Sequence, residues 1–179
     1  MDHSKKDITE LTRCTLAQYS DIPKLPVAVL LDNVRSMYNV GAVFRTADAF
    51  LIEKIILTGI SGCPPHPEIR KTALGAEESV KWQYFEDAVG AVDLLKEEGW
   101  EICVLEQAHN SVPLQDFIPD KNKKYLLVAG NEVEGVNQSI VDKADTVLEI
   151  PQHGVKHSLN VSVSTGIALW QLVKEYFKQ

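Results

Sequence analysis

The chain has 179 residues, of which 45% are hydrophobic, and it carries a formal net charge of −7 at pH 7. This size predicts one domain with a sizeable core, and the absence of any apolar run of about 18 residues argues against a membrane span. The N-terminal sequence lacks the apolar core of a signal peptide and the three cysteines are odd in number, so we expect a cytoplasmic protein with free thiols.

The net negative charge does not exclude a nucleic acid partner, because it is concentrated in one segment. Residues 86–106 contain seven acids and one base, whereas residues 35–81 contain six bases and five acids. The acidic segment is typical of a solvated helix face. The remainder is close to neutral and can present a local basic patch.

The N-terminal third predicts two strands with a helix between them. Polar residues precede position 25, and one short helix is predicted there from Ile8, Leu11, Leu16 and Tyr19. The run PVAVLLD (26–32) is typical of a buried strand, and KIILTG (54–59) predicts the next one. The helix between them is predicted from four apolar residues on one side, Val40, Val43, Phe44 and Ala47.

The rest of the chain continues this alternation. A loop is predicted from Gly62 and the prolines at 64, 65 and 67. A short strand is predicted at VKWQYF (80–85), and a helix that ends at Gly99 is predicted at EDAVGAVDLLKEEG (86–99). Strands are predicted at WEICVLE (100–106), KYLLVAG (124–130) and TVLEIP (146–151), and a long helix over about 158–177. The pattern predicts a single α/β domain built on a parallel sheet. Because ligands bind at the carboxyl ends of such strands, we expect a site near EQAHN, GNEVEG and PQHGVKHSLN.

The stretch NVGAVFRTADAF (39–50) places polar residues at the start of a predicted helix. Asn39 lies where the helix begins, and Gly41 lets the backbone come close to another group. Arg45 follows Asn39 by six residues, about 600° around the helix. Taken alone, a capping asparagine and a solvated arginine explain these residues more simply.

Two later stretches combine glycine and polar residues after a strand. In LLVAGNEVEGV (126–136), Glu132 is a candidate ligand or base, although a turn with solvated acids is the simpler explanation. In the stretch at 150–162, Ser158 can cap the last helix, which leaves Asn160 two residues inside it with a buried amide that needs partners. A core position that satisfies this amide is an equal alternative.

Together the three stretches resemble the SpoU family of RNA ribose 2′-O-methyltransferases, within the knotted SPOUT class. The shared pattern is N-x-G-x-x-x-R, then G-N-E-x-x-G, then I-P…S-L-N-x-S, and the resemblance extends from about Pro26 to the C-terminus. The sequence departs from the family at Leu51 and Val133, where glycine is frequent. Only about 25 residues precede the first strand, as in the single-domain members of the family.

The resemblance implies one domain of residues 1–179, a parallel sheet flanked by helices, with a short extension at 1–25 and a deep trefoil knot at about 105–165. General rules of chain topology would not predict the knot. S-adenosylmethionine is expected among the knot loops, in a fairly dry pocket where poor solvation of its sulfonium favours methyl transfer. The expected cofactor-binding residues are Leu105, Gln107, Val128, Gly130, Ile150 and Leu159.

The implied reaction is methyl transfer to a ribose 2′-hydroxyl of transfer RNA or ribosomal RNA. The catalytic set carried over from the family is Arg45, Asn39, Glu132, Ser158 and Asn160. The family proposal makes Arg45 the base, but a guanidinium hardly loses its proton in proteins, so we expect it to stabilise a phosphate and the alkoxide. The other four are expected to hold Arg45 and the nucleotide. RNA phosphates are expected to bind Arg35, Arg70 and Lys71.

The last helix carries two apolar stripes, and the family forms homodimers with each site built from both subunits. One stripe contains Val163, Ile167, Trp170 and Phe177, and the other contains Leu169, Leu172 and Tyr176. A helix that is apolar on two sides must bury both, so we expect the sheet to cover one stripe and a second subunit to cover the other. A central helix in the core of a monomer is the alternative.

Two other functions are compatible with parts of the sequence. A catalytically idle relative would bind RNA only, although all five motif residues are present. A zinc site could use Cys63, His66, His153 and His157, whose spacings fall within the zinc range. These residues lie near the expected RNA face and cofactor loop, so we expect no metal.

Overall fold

The computed structural model describes residues 3–7, 10 and 14–178. Within these residues seven strands form one parallel sheet in the order β3-β2-β1-β6-β4-β7-β5. The strands are β1 (Leu25–Asp32), β2 (Ile52–Thr58), β3 (Trp82–Phe85), β4 (Trp100–Leu105), β5 (Val112–Pro113), β6 (Lys124–Gly130) and β7 (Thr146–Glu149). The helices are α1 (Leu16–Asp21), α2 (Met37–Ala49), α3 (Pro67–Ala73), α4 (Ala76–Ser79), α5 (Ala88–Glu97), α6 (Gln138–Val141) and α7 (Val161–Val173), and short 3-10 turns occupy Leu114–Asp116 and Lys174–Tyr176.

All six predicted strands are confirmed, and the unpredicted β5 has only two residues. The predicted proline loop is wrong from Pro67 onward, where α3 begins. Proline suits the first position of a helix, and the His66 ring accepts a hydrogen bond from the Glu68 N–H (3.2 Å) at the same helix start. Of the predicted N-terminal helix, α1 is present, whereas Ile8 and Leu11 lie outside the described residues.

Helices cover both faces of the sheet, which explains the continuous apolar strands. In β1, Val27, Val29 and Leu31 face one core together with residues of α2, α3 and α7. The alternate residues Ala28 and Leu30 face a second core with α5 and α6. Within the described ranges, no helix combines the length and the apolar character that crossing a membrane requires.

The strand order brings the predicted site loops together. Strand β6 pairs with β1 on one side and with β4 on the other, and β7 pairs with β4. In register, Asp32 lies beside Gly130, and Leu105 lies beside both Ala129 and Leu148. The loops that follow these parallel strands therefore open at the same edge of the sheet.

The second residue after helix α2 has a left-handed backbone conformation. Leu51 has a φ of 54°, and its N–H donates to the carbonyl of Asp48 (3.2 Å). Glycine adopts this conformation at the lowest cost, which accounts for its frequency at this position in the family that the sequence resembles.

Candidate active site

A cavity of about 920 Å³ lies at the carboxyl ends of β4, β6 and β7. Its walls come from the β4 loop (106–109), the β6 loop (130–136) and the β7 loop (150–160). Five of the six expected cofactor residues line it, namely Leu105, Gln107, Gly130, Ile150 and Leu159. Val128 does not, because it is fully buried inside β6, between Leu30 of β1 and Val104 of β4.

The three loops are tied to one another by side chains of the β4 loop. The Glu106 carboxylate accepts hydrogen bonds from the N–H groups of Gln107 (2.8 Å) and Val136 (3.1 Å). The Gln107 amide donates to the carbonyl of His157 (2.6 Å). Contacts within the protein therefore hold the cavity walls.

The glycines of the β6 loop close the loop on itself. A Cβ at Gly130 would lie 2.0 Å from the carbonyl carbon of Gly135, and Gly135 has a φ of 70°. The N–H of Gly135 donates to the carbonyl of Asn131 (3.1 Å). Glycine is therefore required at position 130 by the close approach of the loop's own backbone.

A buried carboxylate, which the sequence analysis missed, anchors the far end of the β6 loop. Asp32 is 1% exposed at the end of β1. One of its oxygens accepts a hydrogen bond from the N–H of Asn137 (2.9 Å), and the other accepts from the Asn33 amide (2.8 Å). A buried carboxylate needs such donors, so an aspartate that closes an otherwise apolar strand was the available signal.

The side chain of Asn39 joins two of the other motifs. Its amide nitrogen donates to Glu132 Oε1 (2.6 Å), and its amide oxygen accepts from Asn160 Nδ2 (3.1 Å). These partners lie 93 and 121 residues away in sequence. Glu132 and Ser158 also line the cavity, so the Asn39–Glu132–Asn160 cluster lies at its mouth.

Asn160 is the N-cap of α7, and its oxygen accepts from the N–H groups of Ser162 (3.0 Å) and Val163 (3.4 Å). The expectation that Ser158 caps this helix is therefore wrong, because α7 begins at Val161. One carboxamide caps the helix with its oxygen and binds Asn39 with its nitrogen. Ser162 was missed although it belongs to the third motif, and its hydroxyl donates to Asn160 Oδ1 (2.6 Å).

The single chain does not bring Arg45 into this cluster. Arg45 is exposed on α2 and makes no hydrogen bond or ion pair with any described residue. The inner side of α2 is instead packed closely against neighbouring helices, with Gly41 against the carbonyl of Ile69 in α3 and Thr46 facing Gly166 in α7. The six-residue offset places Arg45 about 600° around α2 from Asn39, so the two side chains do not share a face of the helix.

The three expected phosphate-binding residues are exposed on α3 or just before α2. Arg35 precedes Ser36, whose hydroxyl caps α2 by accepting from the Asn39 N–H (3.3 Å). Arg70 pairs with Glu78 (3.5 Å) at the surface, and the ammonium of Lys71 lies 6.0 Å from the ring centroid of Tyr38.

The charge of the cavity favours a cation. Four carboxylates line it, Glu106, Glu132, Glu134 and Asp142, and among the described residues no lysine or arginine does so. Electrostatic attraction is therefore available to a cation there, in addition to the poor solvation that the sequence analysis expects.

The structure gives no support to the zinc alternative. Among the described residues, no group of three histidine, cysteine or acidic side chains is arranged to hold a metal ion. His66 uses its Nδ1 atom at the start of α3. Burial raises the pKa of the Cys63 thiol, which disfavours the thiolate that zinc would require.

Comparison with known proteins gives consistent matches. The sequence profile described as the SpoU rRNA Methylase family matches residues 26–170. An uncharacterized tRNA/rRNA methyltransferase of Borreliella burgdorferi is 33% identical over 150 residues, which are 82% of this chain and 63% of that protein. The tRNA (guanosine(18)-2′-O)-methyltransferase of Aquifex aeolicus is 33% identical over 153 residues, which are 82% of this chain and 68% of that enzyme.

The chain thus spans about two thirds of the length of these curated relatives. A solved structure of an rRNA methyltransferase from Sinorhizobium meliloti, with AdoMet bound, is similar with a TM-score of 0.80 and 26% sequence identity. The match covers 90% of this chain and 61% of that one.

Proposed function

Because the chain belongs to the SpoU rRNA methylase family, we propose that it transfers a methyl group from S-adenosylmethionine to a ribose 2′-hydroxyl of transfer RNA or ribosomal RNA. The observation that carries this proposal is the Asn39–Glu132–Asn160 cluster at the mouth of the cavity. A cavity for a methyl donor and polar groups for an acceptor hydroxyl lie side by side.

The cavity fits this cofactor in charge and in the apolar residues of its wall. When bound, S-adenosylmethionine supplies a methyl group on a positively charged sulfur, and the cofactor also carries an ammonium group. The carboxylates of Glu106, Glu132, Glu134 and Asp142 favour such cations. Leu105, Ile150 and Leu159 offer apolar contacts for its adenine, and the backbone near Gly130 offers hydrogen bonds without charge.

The residues of the cluster have separate roles in the proposal. Asn39 holds the Glu132 carboxylate, which can accept a hydrogen bond from the ribose hydroxyl or take its proton. Asn160 fixes Asn39, and Ser158 contributes a hydroxyl to the cavity wall. Arg45 stabilises the developing alkoxide and a neighbouring phosphate, because its guanidinium keeps its charge.

Arg45 reaches this position only if a second copy of the chain completes the site. The absence of any hydrogen bond or ion pair between Arg45 and a described residue supports a homodimer. The exposed apolar stripe of the last helix supports a homodimer as well; it consists of Val163, Ile167, Trp170 and Phe177. The other stripe is not free for a partner, since Leu169 and Leu172 are fully buried against the sheet. The rings of Trp170 and Phe177 are stacked (6.2 Å) beside Phe50, which gives an organised apolar surface for the second copy.

The knot is part of the same proposal. Residues of about 105–165 would thread to form it, and the three loops that meet at the cavity all belong to this region. The hydrogen bond from Gln107 to the His157 carbonyl is the contact expected where the first and last of these loops touch.

The RNA would approach over the N-terminus of α2. Arg35, Arg70 and Lys71 are exposed there and can bind phosphates. Which RNA is modified follows from mapping 2′-O-methyl groups in RNA from cells with and without the gene. Loss of a single site on deletion is the expected result.

The direct test uses the purified protein with S-adenosylmethionine. Calorimetry should detect binding of the cofactor without RNA. The unmodified protein should add a 2′-O-methyl group to RNA from the deletion strain, and the Asn39→Ala variant should not. No binding at millimolar cofactor by folded protein would contradict the proposal.

The dimer is tested separately by Ile167→Glu, with Ile118→Glu as the matched control at another exposed isoleucine. The first variant should sediment as a monomer, bind cofactor and lose methylation, whereas the second should behave as the unmodified protein. A monomeric wild-type protein that methylates RNA would refute the shared site.

A further inference from the structure

Tyr38 lies beside the cluster without a role in the chemistry proposed above. It precedes Asn39 in α2 and is 44% exposed, and its hydroxyl makes no hydrogen bond with any described residue. A large exposed aromatic ring next to a site that handles nucleotides is a candidate contact for a base.

A cation accompanies this ring. The ammonium of Lys71 lies 6.0 Å from the ring centroid, at the outer limit of a cation–π contact. Lys71 forms no ion pair with a described residue, whereas its neighbour Arg70 is paired with Glu78. The charge of Lys71 is therefore held near the ring but is still available to a phosphate.

Tight packing between α2 and α3 fixes the backbone positions of Tyr38 and Lys71 relative to each other. A Cβ at Gly41 would lie 2.2 Å from Thr72 Oγ1 and 2.3 Å from the carbonyl oxygen of Ile69, so the helices touch backbone to backbone. Thr72 Oγ1 donates to the carbonyl of Tyr38 (2.9 Å). Thr72, which directly follows Lys71, is thus hydrogen-bonded to the backbone of Tyr38.

We propose that Tyr38 and Lys71 form a binding platform for one unpaired nucleotide of the RNA, next to the nucleotide that is methylated. The base stacks on the exposed ring of Tyr38, and its phosphate pairs with Lys71. A base inside a duplex cannot present its face to a side chain, so the platform selects loops or single-stranded segments. The proposal rests on the proposed function, because the cluster defines where the acceptor ribose lies.

The experiment compares two probes of equal charge, a single-stranded oligoadenylate and an abasic oligonucleotide, each of about 12 nucleotides, a length in the range of single-strand binding sites. Affinities are measured by fluorescence anisotropy, without cofactor. Tyr38→Ala should weaken binding of the oligoadenylate by about five-fold to a hundred-fold, the scale of one lost base stack, and leave the abasic probe unchanged. Tyr38→Phe keeps the ring and should bind both probes normally.

Two further variants separate stacking from charge. Lys71→Ala should weaken both probes alike and lower the slope of log affinity against log salt by about one. Tyr84→Ala is the matched control, since Tyr84 is 48% exposed on the edge strand β3, and it should change neither probe. Thermal melting verifies that each variant folds, and Tyr38→Leu repeats the comparison if Tyr38→Ala does not fold.

The outcomes distinguish this inference from the proposed function. The platform is overturned if Tyr38→Ala weakens the binding of both probes equally or of neither. It is also overturned if the unmodified protein does not prefer the base-bearing probe. None of these results depends on methylation. If methylation is found and Tyr38→Ala binds normally, only the platform fails, and if the probes behave as expected without any methylation, only the proposed function fails.

Discussion

The two sides of the candidate site are built in different ways. On the cavity side, formed by the loops after β4, β6 and β7, carboxylate and amide side chains hold the backbone in place, as Glu106 and Asp32 do for the β6 loop. On the helix side, formed by α2 and α3, the side chains of Tyr38, Arg45 and Lys71 are exposed and make no hydrogen bond with a described residue.

This difference indicates which part of the site is complete within one chain. The cavity side is organised by the fold, so a ligand meets a formed pocket. The helix side presents groups without partners among the described residues, and we propose RNA and a second copy as the partners they gain. Substitutions on the cavity side should therefore alter stability and cofactor affinity, whereas those on the helix side should alter turnover at unchanged stability.

The largest effect is expected on the helix side, from Arg45→Ala. The methylation rate should fall about 10²-fold or more, the scale of losing one electrostatic or proton-transfer group. Melting temperature and cofactor affinity should stay unchanged, because Arg45 has no partner among the described residues. Arg45→Lys keeps the charge without the planar fork and should recover little. Single-turnover methylation at saturating cofactor measures the rate, and a near-normal rate for Arg45→Ala would remove Arg45 from the chemistry.

Gly130→Ala tests the cavity side. Its Cβ would meet the backbone of Gly135 at 2.0 Å, so the β6 loop must shift, at a cost of about 1–3 kcal/mol for such overpacking. Cofactor affinity should fall with stability. Gly154→Ala is the control in the same cavity region, since a Cβ there meets no described atom within 4 Å. Denaturant unfolding and calorimetry on both variants check this, and a Gly130→Ala protein of normal stability would show that the loop is not held as described.

Asn160 contacts both sides, since its oxygen caps α7 and its amide nitrogen donates to Asn39. Two variants separate these roles. Asn160→Asp keeps the oxygen that caps α7 but loses the N–H donated to Asn39, so stability should hold while the rate falls. Asn160→Ala loses both and should also be destabilised by about 1 kcal/mol, the usual cost of a lost N-cap. Unfolding and single-turnover rates are compared for the pair. Equal stability of the two variants would show that the cap contributes nothing.

The sequence predicted the cavity side better than the helix side. Strands β4, β6 and β7 and the loops after them were predicted correctly. A strand that is buried on both faces has a continuous apolar sequence, and the glycine or polar residues that follow mark its end. The partners of Asp32 and Asn39 could not be read from the sequence, since Asn137, Glu132 and Asn160 lie about 90 to 120 residues away and reach them only where the loops meet. The start of α7 was misplaced by three residues because Ser158 and Asn160 are both good N-caps.

On the helix side the sequence named the residues but not their arrangement. Asn39 and Arg45 stand in one motif, yet only Asn39 reaches Glu132 and Asn160. Helical rotation predicted that separation, but whether a second copy supplies Arg45 depends on a surface that one chain leaves exposed. The role proposed for Tyr38 was not visible in the sequence, because Lys71 approaches it only through the packing of α2 on α3.

A smaller effect should follow from the pH dependence of the hydrogen bonds to Asp145, which directly precedes β7, the strand whose carboxyl end borders the cavity. Burial tends to raise the pKa of Asp145, but hydrogen bonds from the Ile102 N–H (2.8 Å) and Lys96 (2.8 Å) outweigh it and hold the pKa below its ordinary value of 3.8. The stabilisation is therefore complete above that value and is lost as the pH falls through the lower folded-state pKa. Asp145→Asn should cost about 1–2 kcal/mol at pH 7 and progressively less in acid, measured by denaturant unfolding across pH. A cost that does not change with pH would exclude this origin.

The smallest effect is expected from Thr165→Val in α7, the helix that joins the two sides. The Thr165 hydroxyl is fully buried and has no hydrogen-bond partner among the described residues, and the nearby carbonyl of Val161 accepts from Ser164 (3.1 Å). Removing an unsatisfied buried hydroxyl should leave stability unchanged or raise it by up to about 1 kcal/mol. Thr58→Val is the matched control, because Thr58 is equally buried but donates to the carbonyl of Leu31 (3.1 Å), so the same substitution should destabilise the protein. If both variants lose stability equally in denaturant unfolding, the Thr165 hydroxyl has a partner such as an ordered water, and α7 is held more tightly there than its protein contacts indicate.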